Sequence, residues 1–176
     1  MISRLVRVFS RFTLIGVLLV AFAQAGAAQA VPQASIDKLV SMLKANNYPY
    51  VTTSSPSVFV IQFTGNHMKD IKVVLALGGD EDSDMVIFVT VVEKRRMPVT
   101  AEFRGHLLEQ NHALNQVKIG FDADGDLSVR TDSSLRLCDA RGLYNIVNQV
   151  KNASDEIYGQ VESQLLPETK LQSEPF

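Results

Sequence analysis

Few residues of this 176-residue chain have the types and spacing that chemistry demands. Asp122, Asp124 and Asp126 come first, because alternating carboxylates beside a glycine are the raw material of a calcium loop. An EF-hand needs oxygen ligands at positions 1, 3 and 5, glycine at 6 and a bidentate glutamate at 12. Counted from Asp122, Gly125 comes too early, Leu127 stands where the glycine should be and Ser133 where the glutamate should be. The flanks alternate like strands, so this stretch reads as a hairpin turn. Asp80, Glu81, Asp82 and Asp84 offer hard oxygen ligands to a cation, but they read as a solvated connection that blunts a sheet edge.

His106 and His112 lie too far apart on one helix to share a face as an i, i+4 metal pair would, and His67 is in a distant loop. No Gly-x-Ser-x-Gly setting activates a serine. Gly78-Gly79 precedes acids that would repel a phosphate. No catalytic, metal or cofactor-binding residue is assigned. Cys138 is the one cysteine; it reads as a small buried hydrophobe, with a reactive thiol or an intermolecular bridge as the other reading. Glu93-Lys94-Arg95-Arg96 reads as a solvated connection rather than a phosphate or acidic-peptide site. Tryptophan is absent, which argues against a stacking platform for nucleic acid or glycans.

The N-terminus says where such a chain would work. Arg4, Arg7 and Arg11 precede an uncharged run from Phe12 to Ala23, then small residues. Residues 1–30 read as a secretory signal peptide, cut after Ala30 in Ala28-Gln29-Ala30, with Ala23-Gln24-Ala25 as a second site. The rival is an uncleaved anchor, and the leader would then be the membrane contact; its second half is only weakly apolar. The expected location is periplasmic or secreted. Removing the leader takes away three arginines and no acid, so 14 bases face 19 acids. The formal charge falls from −2 to −5, which disfavours nucleic acid as a partner. With a single cysteine, an exported domain has no internal disulfide and depends on its core.

The elements can be read from periodicity. Ile36, Leu39, Val40 and Leu43 make a helical stripe, with Ser35 as the expected cap and Asp37 suited to the positive helix end. Asn46-Asn47 ends that helix, and Tyr48 to Ser57 reads as a loop. Val58–Thr64, Ile71–Leu77 and Met85–Val92 are rich in Val, Ile and Phe, and short connections make them an antiparallel meander. Thr100 caps a second helix whose stripe is Phe103, Leu107 and Leu114, with Leu108 beside it. Asn111 falls on that stripe and must find backbone partners near the helix end. Asn115 is the expected left-handed cap.

Val117, Ile119 and Phe121, then Leu127 and Val129, alternate on either side of the aspartate turn as a hairpin. Asp139 caps a long last helix carrying Leu143, Ile146, Val147, Val150, Ala153, Ile157 and Val161, which Pro167 stops. Residues 31–166 make one domain and 167–176 a flexible tail. The class is α+β, an antiparallel sheet of about five strands in the order α-β-β-β-α-β-β-α, built as a two-layer sandwich.

The meander strands are not cleanly two-faced. Phe59, Ile61 and Phe63 oppose Val58 and Val60, and Met85, Ile87, Val89 and Val91 oppose Val86, Phe88 and Val92. A sheet with one wet face alternates apolar with polar. This one needs cover on both sides, so Val58, Val60, Val86, Phe88 and Val92 are the candidate partner-binding residues. The partner is expected to be a second copy, as a homodimer, or a peptide or protein.

Leu107, Leu108, Glu109 and Asn111 at a helix end, followed by a strand and the Asp122-x-Asp124-Gly125 turn, resemble the YbjN-like family over roughly residues 35 to 160. The resemblance implies the fold of type III secretion chaperones, a compact α/β sandwich that binds peptides or dimerises, in proteins often labelled sensory transduction regulators. It brings no catalytic residues. Those chaperones work in the cytosol, whereas this chain reads as exported. The expected function is an exported, non-enzymatic protein- or peptide-binding domain, regulatory or chaperone-like. The alternative is a small-molecule binder or hydrolase, with a pocket between helices and sheet lined by His106, Glu109, Asn111 or Arg104.

Overall fold

The computed structural model describes residues 31–78, 84–97 and 100–165. The leader, three of the four acids of the second connection (Asp80, Glu81 and Asp82) and the tail lie outside the described residues. The chain runs α1 (Gln33–Ala45), β1 (Tyr50–Thr52), β2 (Val58–Phe63), β3 (Ile71–Leu77), β4 (Met85–Val92), α2 (Ala101–Ala113), β5 (Lys118–Phe121), β6 (Leu127–Ser133) and α3 (Ala140–Val161). Short 3-10 turns follow β4 at Lys94–Arg96 and α3 at Glu162–Gln164. The sheet order is β1-β2-β3-β4-β6-β5, and every neighbouring pair is antiparallel. The class is α+β as expected, with six strands rather than five.

The extra strand is β1. Its three residues sit between Pro49 and Pro56, too short for any periodicity to show, yet Tyr50, Val51 and Thr52 pair with Ile61, Val60 and Phe59. The Tyr50 ring meets Phe59 edge-on at 5.6 Å between centroids.

One core fills the space between sheet and helices. The sheet contributes Phe59, Ile61, Val73, Leu75, Ile87 and Val129, and the helices contribute Leu39 and Leu43, Phe103 and Leu107, and Leu143, Val147 and Val150. Each large aliphatic or aromatic side chain removed from water there stabilises the fold by about 1.5–3 kcal/mol. The 22-residue α3 crosses the middle strands, and its apolar stripe is the one read from the sequence. No helix among the described residues is long and apolar enough to cross a membrane.

The caps divide. Thr100 accepts from the Phe103 backbone N–H at 3.2 Å and Asp139 from that of Gly142 at 2.6 Å. Ser35 is not a cap: α1 starts two residues earlier, behind Pro32, and the Ser35 N–H already donates to the Pro32 carbonyl at 3.0 Å. Asn115 is not the left-handed residue either. α2 ends at Ala113 and the chain turns at Gln116, whose φ is 66°.

The β2–β3 connection is held by a residue that periodicity does not reveal. Asp155, 8% exposed on α3, accepts the backbone N–H of Asn66, His67 and Met68 at 2.8, 2.9 and 2.7 Å. A Cβ on Gly65 would collide with this carboxylate, so glycine is required there. Burial by itself would raise the Asp155 pKa, but the donors from Met68, Asn66 and His67, with the His67 charge, together hold it below the ordinary value of 3.8. A lowered folded pKa gives stability that is complete above the unfolded value and is lost as pH falls through the folded one. Asp155→Asn is expected to cost about 2–4 kcal/mol at neutral pH. The deficit should shrink as pH falls below the ordinary aspartate value. Urea midpoints of both proteins across that range check it; a gap that stays constant down to the acid limit contradicts this account.

Candidate functional site

The residues singled out for chemistry do not converge. Asp122 accepts the backbone N–H of Asp124 at 3.0 Å and of Asp126 at 2.9 Å, and Gly125 takes φ 85°, so the three aspartates build a hairpin turn. The Asp126 carboxylate accepts from the Lys94 backbone at 2.7 Å, tying that turn to the charged run after β4. Arg95 pairs with Glu93 in the same run. Asp84 accepts from the Leu135 backbone. Among the described residues, no three His, Cys, Asp or Glu side chains gather as a metal site.

Burial, with the Asp139 carboxylate beside it, pushes the Cys138 thiol up, while Lys38 pulls it down. A reactive thiol needs the opposite balance. Of the four residues named for a pocket, His106 lines a shallow cleft between α2 and α3 with Thr100, Glu102 and Gln160. Its Nε2 lies 3.3 Å from the Gln160 Oε1. Arg104 and Glu109 are solvent-exposed.

Asn111 has a different task. Its Nδ2 donates to the Ile119 carbonyl at 2.6 Å and its Oδ1 accepts the Ile119 N–H at 2.7 Å. One carboxamide thus satisfies the outward backbone groups of edge strand β5 at that residue, the place another strand would take.

What the fold does gather is a surface. The three helices of the described residues bury their stripes in the core on one side of the sheet. Register fixes what lies on the other. Val51, Val60, Val74 and Phe88 are successive cross-strand partners, and the line continues to Arg130 and Lys118. Beside it, Val58, Ala76, Val86 and Asp132 form a second row. Apart from Val51, which is 65% exposed, the apolar members are half-buried, and none packs against the core. The charged members are exposed, and Arg130 holds Asp132 at 2.6 Å.

Four of the five candidate partner-binding residues, Val58, Val60, Val86 and Phe88, therefore share this open face. Val92 does not. A bulge between Thr90 and Val92 shifts the register, so Val92 pairs with Leu127 and turns into the core at 2% exposure. The sequence reading missed Val74 and Ala76, although both oppose Ile71, Val73 and Leu75 in a period of two. It also missed Arg130 and Asp132, whose strand was read only for its apolar half.

No family model and no curated protein matches the chain. Solved structures do match in fold. A chain of the ExsC–ExsE complex aligns with a TM-score of 0.53 at 11% identity, over 74% of this chain and 96% of that one. A chain of the heterodimeric ExoU–SpcU complex from the type III secretion system of Pseudomonas aeruginosa gives 0.47 at 14% identity, over 72% and 97%. The structure of the Yersinia pestis type III secretion chaperone SycH with a fragment of YscM2 gives 0.47 at 12% identity, over 68% and 96%. These likenesses are of fold, and the first carries the comparison.

Asn111→Ala leaves the Ile119 N–H and carbonyl without their side-chain partner. A loss of about 1–2 kcal/mol is expected, with faster hydrogen exchange at the Ile119 amide than elsewhere in β5 and β6. Exchange that stays protected at Ile119 contradicts this role.

Proposed function

We propose that this chain is an exported, non-enzymatic protein-binding domain of the YbjN-like kind, and that the open face of its sheet is the contact surface. The observation that carries the proposal is the side of β1 to β4 on which none of the described helices packs. Seven apolar side chains, Val51, Val58, Val60, Val74, Ala76, Val86 and Phe88, stand there in two adjacent rows. A contiguous apolar patch with a polar rim marks an interaction site on a soluble protein. Arg130, Asp132 and Lys118 supply such a rim on one side, and Gln62 and Lys72 lie at a corner.

Catalysis has no comparable support. In the His106 cleft the Thr100 hydroxyl is engaged as the α2 cap and His106 faces Gln160, and the described residues offer no metal cluster. The likeness to a chain of the ExsC–ExsE complex, which is itself a complex of two proteins, agrees with a binding role. Export rests on the leader, whose three arginines, apolar run and small-residue cut site have the order of a signal peptide.

A photo-reactive amino acid in place of Phe88 tests the surface, with the exposed Arg141 position on α3 as control. Cross-links to protein are expected at position 88 and not at 141; no product at 88 defeats the proposal. Export is read from the N-terminus of the protein recovered from its host, expected to be Val31. A chain that keeps Met1 and stays in the cytosol sinks that half of the reading.

A further inference from the structure

The open face has a layout that selects its occupant. We infer that the occupant is a second copy of this chain, related by a two-fold axis that lies between the two sheets and runs across their strands, midway between the two side-chain rows. This rests on the reading of that face as a contact surface and goes on to name what covers it.

The argument is one of self-complementarity. A two-fold interface uses the same patch on both molecules, so residue i on one copy meets residue j on the other, and j meets i. Along each strand the rows are two residues apart, about 7 Å. The proposed axis exchanges them. Val60 then comes over Val58 of the second copy, Val74 over Ala76, and Phe88 over Val86. At the end of the rows, Arg130 comes over Asp132 of the second copy, and Asp132 over Arg130.

On β2 to β4 the apolar side chains thus meet only apolar side chains, and Val51 at the edge comes over Thr53. The charged part closes into a ring of four groups in which each charge has opposite neighbours. An axis running along the strands would do neither. It would place Arg130 and Asp132 against the β1–β2 side of the second copy, where Val51 and Val60 offer no counter-charge. That pair, already joined at 2.6 Å within each copy, would lose water against apolar side chains and gain no partner from the second copy.

Size fits as well. Six strands at about 4.8 Å spacing and roughly 20 Å of strand length give a footprint on the order of 500 Å². With side-chain relief this approaches the 600–1,000 Å² per partner that is roughly the usual range for specific interfaces. Aligned sheets pack at about 30° to each other, so the axis departs from the perpendicular by about half that angle. The length of the Arg130 side chain spans the resulting offset. Lys118 lies beyond the ring at the rim, in solvent.

A charge-swap series read by sedimentation of the purified protein across the micromolar range tests this. A dimer is expected. Arg130→Asp puts four acids in the ring and Asp132→Arg puts four cations there, and each should weaken the dimer by at least about tenfold. The double variant, R130D with D132R, restores alternation and should recover most of the affinity. Both positions are exposed, so circular dichroism should show each variant folded. Three results overturn the inference: a monomer at every concentration, a dimer indifferent to both single reversals, or a double variant no better than the singles. A monomer that still cross-links another protein through position 88 removes the second copy and leaves the broader reading standing. A monomer that cross-links nothing there removes both.

Discussion

The structure depends on an imbalance of surfaces: three helices lie against a sheet that is apolar on both sides. The α3 stripe of Leu143, Val147, Val150 and Ile157 seats on the inner side of the middle strands, and α1 and α2 complete that layer with Leu39, Leu43, Phe103 and Leu107. A two-layer domain of this kind has one core, between the layers. The outer side of β1 to β4 is left with side chains that in most one-sided sheets would be polar. They are half-buried, and neighbouring side chains on a pleated surface shade one another. Much of their area still faces water, so contact with a complementary surface is favourable at roughly 25 cal/mol for each Å² removed.

Two polar side chains do for the backbone what secondary structure does elsewhere. Asp155 gathers three N–H groups of the β2–β3 turn onto α3, and Asn111 takes the place of a strand beside Ile119. Both connect layers: the first fastens a turn of the sheet to a helix, the second fastens a helix to the sheet's edge. With that edge occupied at Ile119, the other edge is the three-residue β1. An edge strand that short gives a poor template for adding further strands. The broad apolar area that remains is the open face rather than either edge.

Much of this was legible in the sequence because the signals were long. The runs 71–77 and 85–92, the α3 stripe and the Thr100 and Asp139 caps each follow from period and capping chemistry. What was not legible was set by tertiary contact. β1 exists because Tyr50 finds Phe59 and its backbone finds β2, and nothing in three residues announces that. Ser35 has the chemistry of a cap, yet the helix begins sooner because Pro32 already fixes a φ of −58° just ahead of it. Asp155 looks like a solvent-facing residue of an amphipathic helix until the β2–β3 turn folds over it. The doubly apolar strands were visible, but which side the helices would choose was not.

The bulge in β4 shows how one residue sets the limit of the candidate site. Up to Thr90 the strand keeps phase with β6, and Val86 and Phe88 point outward beside Asp132 and Arg130. Beyond it two residues of β4 face one of β6, so Val91 and Val92 both turn inward, at 5% and 2% exposure. Without that extra residue Val92 would extend the apolar rows toward the charged Glu93–Arg96 turn. With it the apolar area stops at Thr90, short of those charges. The face is thus bounded along the strands by a change of phase and across them by Arg130 and Asp132. An apolar area with fixed limits and a charged margin admits one seating of a partner more readily than many, and that separates a specific interface from a merely sticky one.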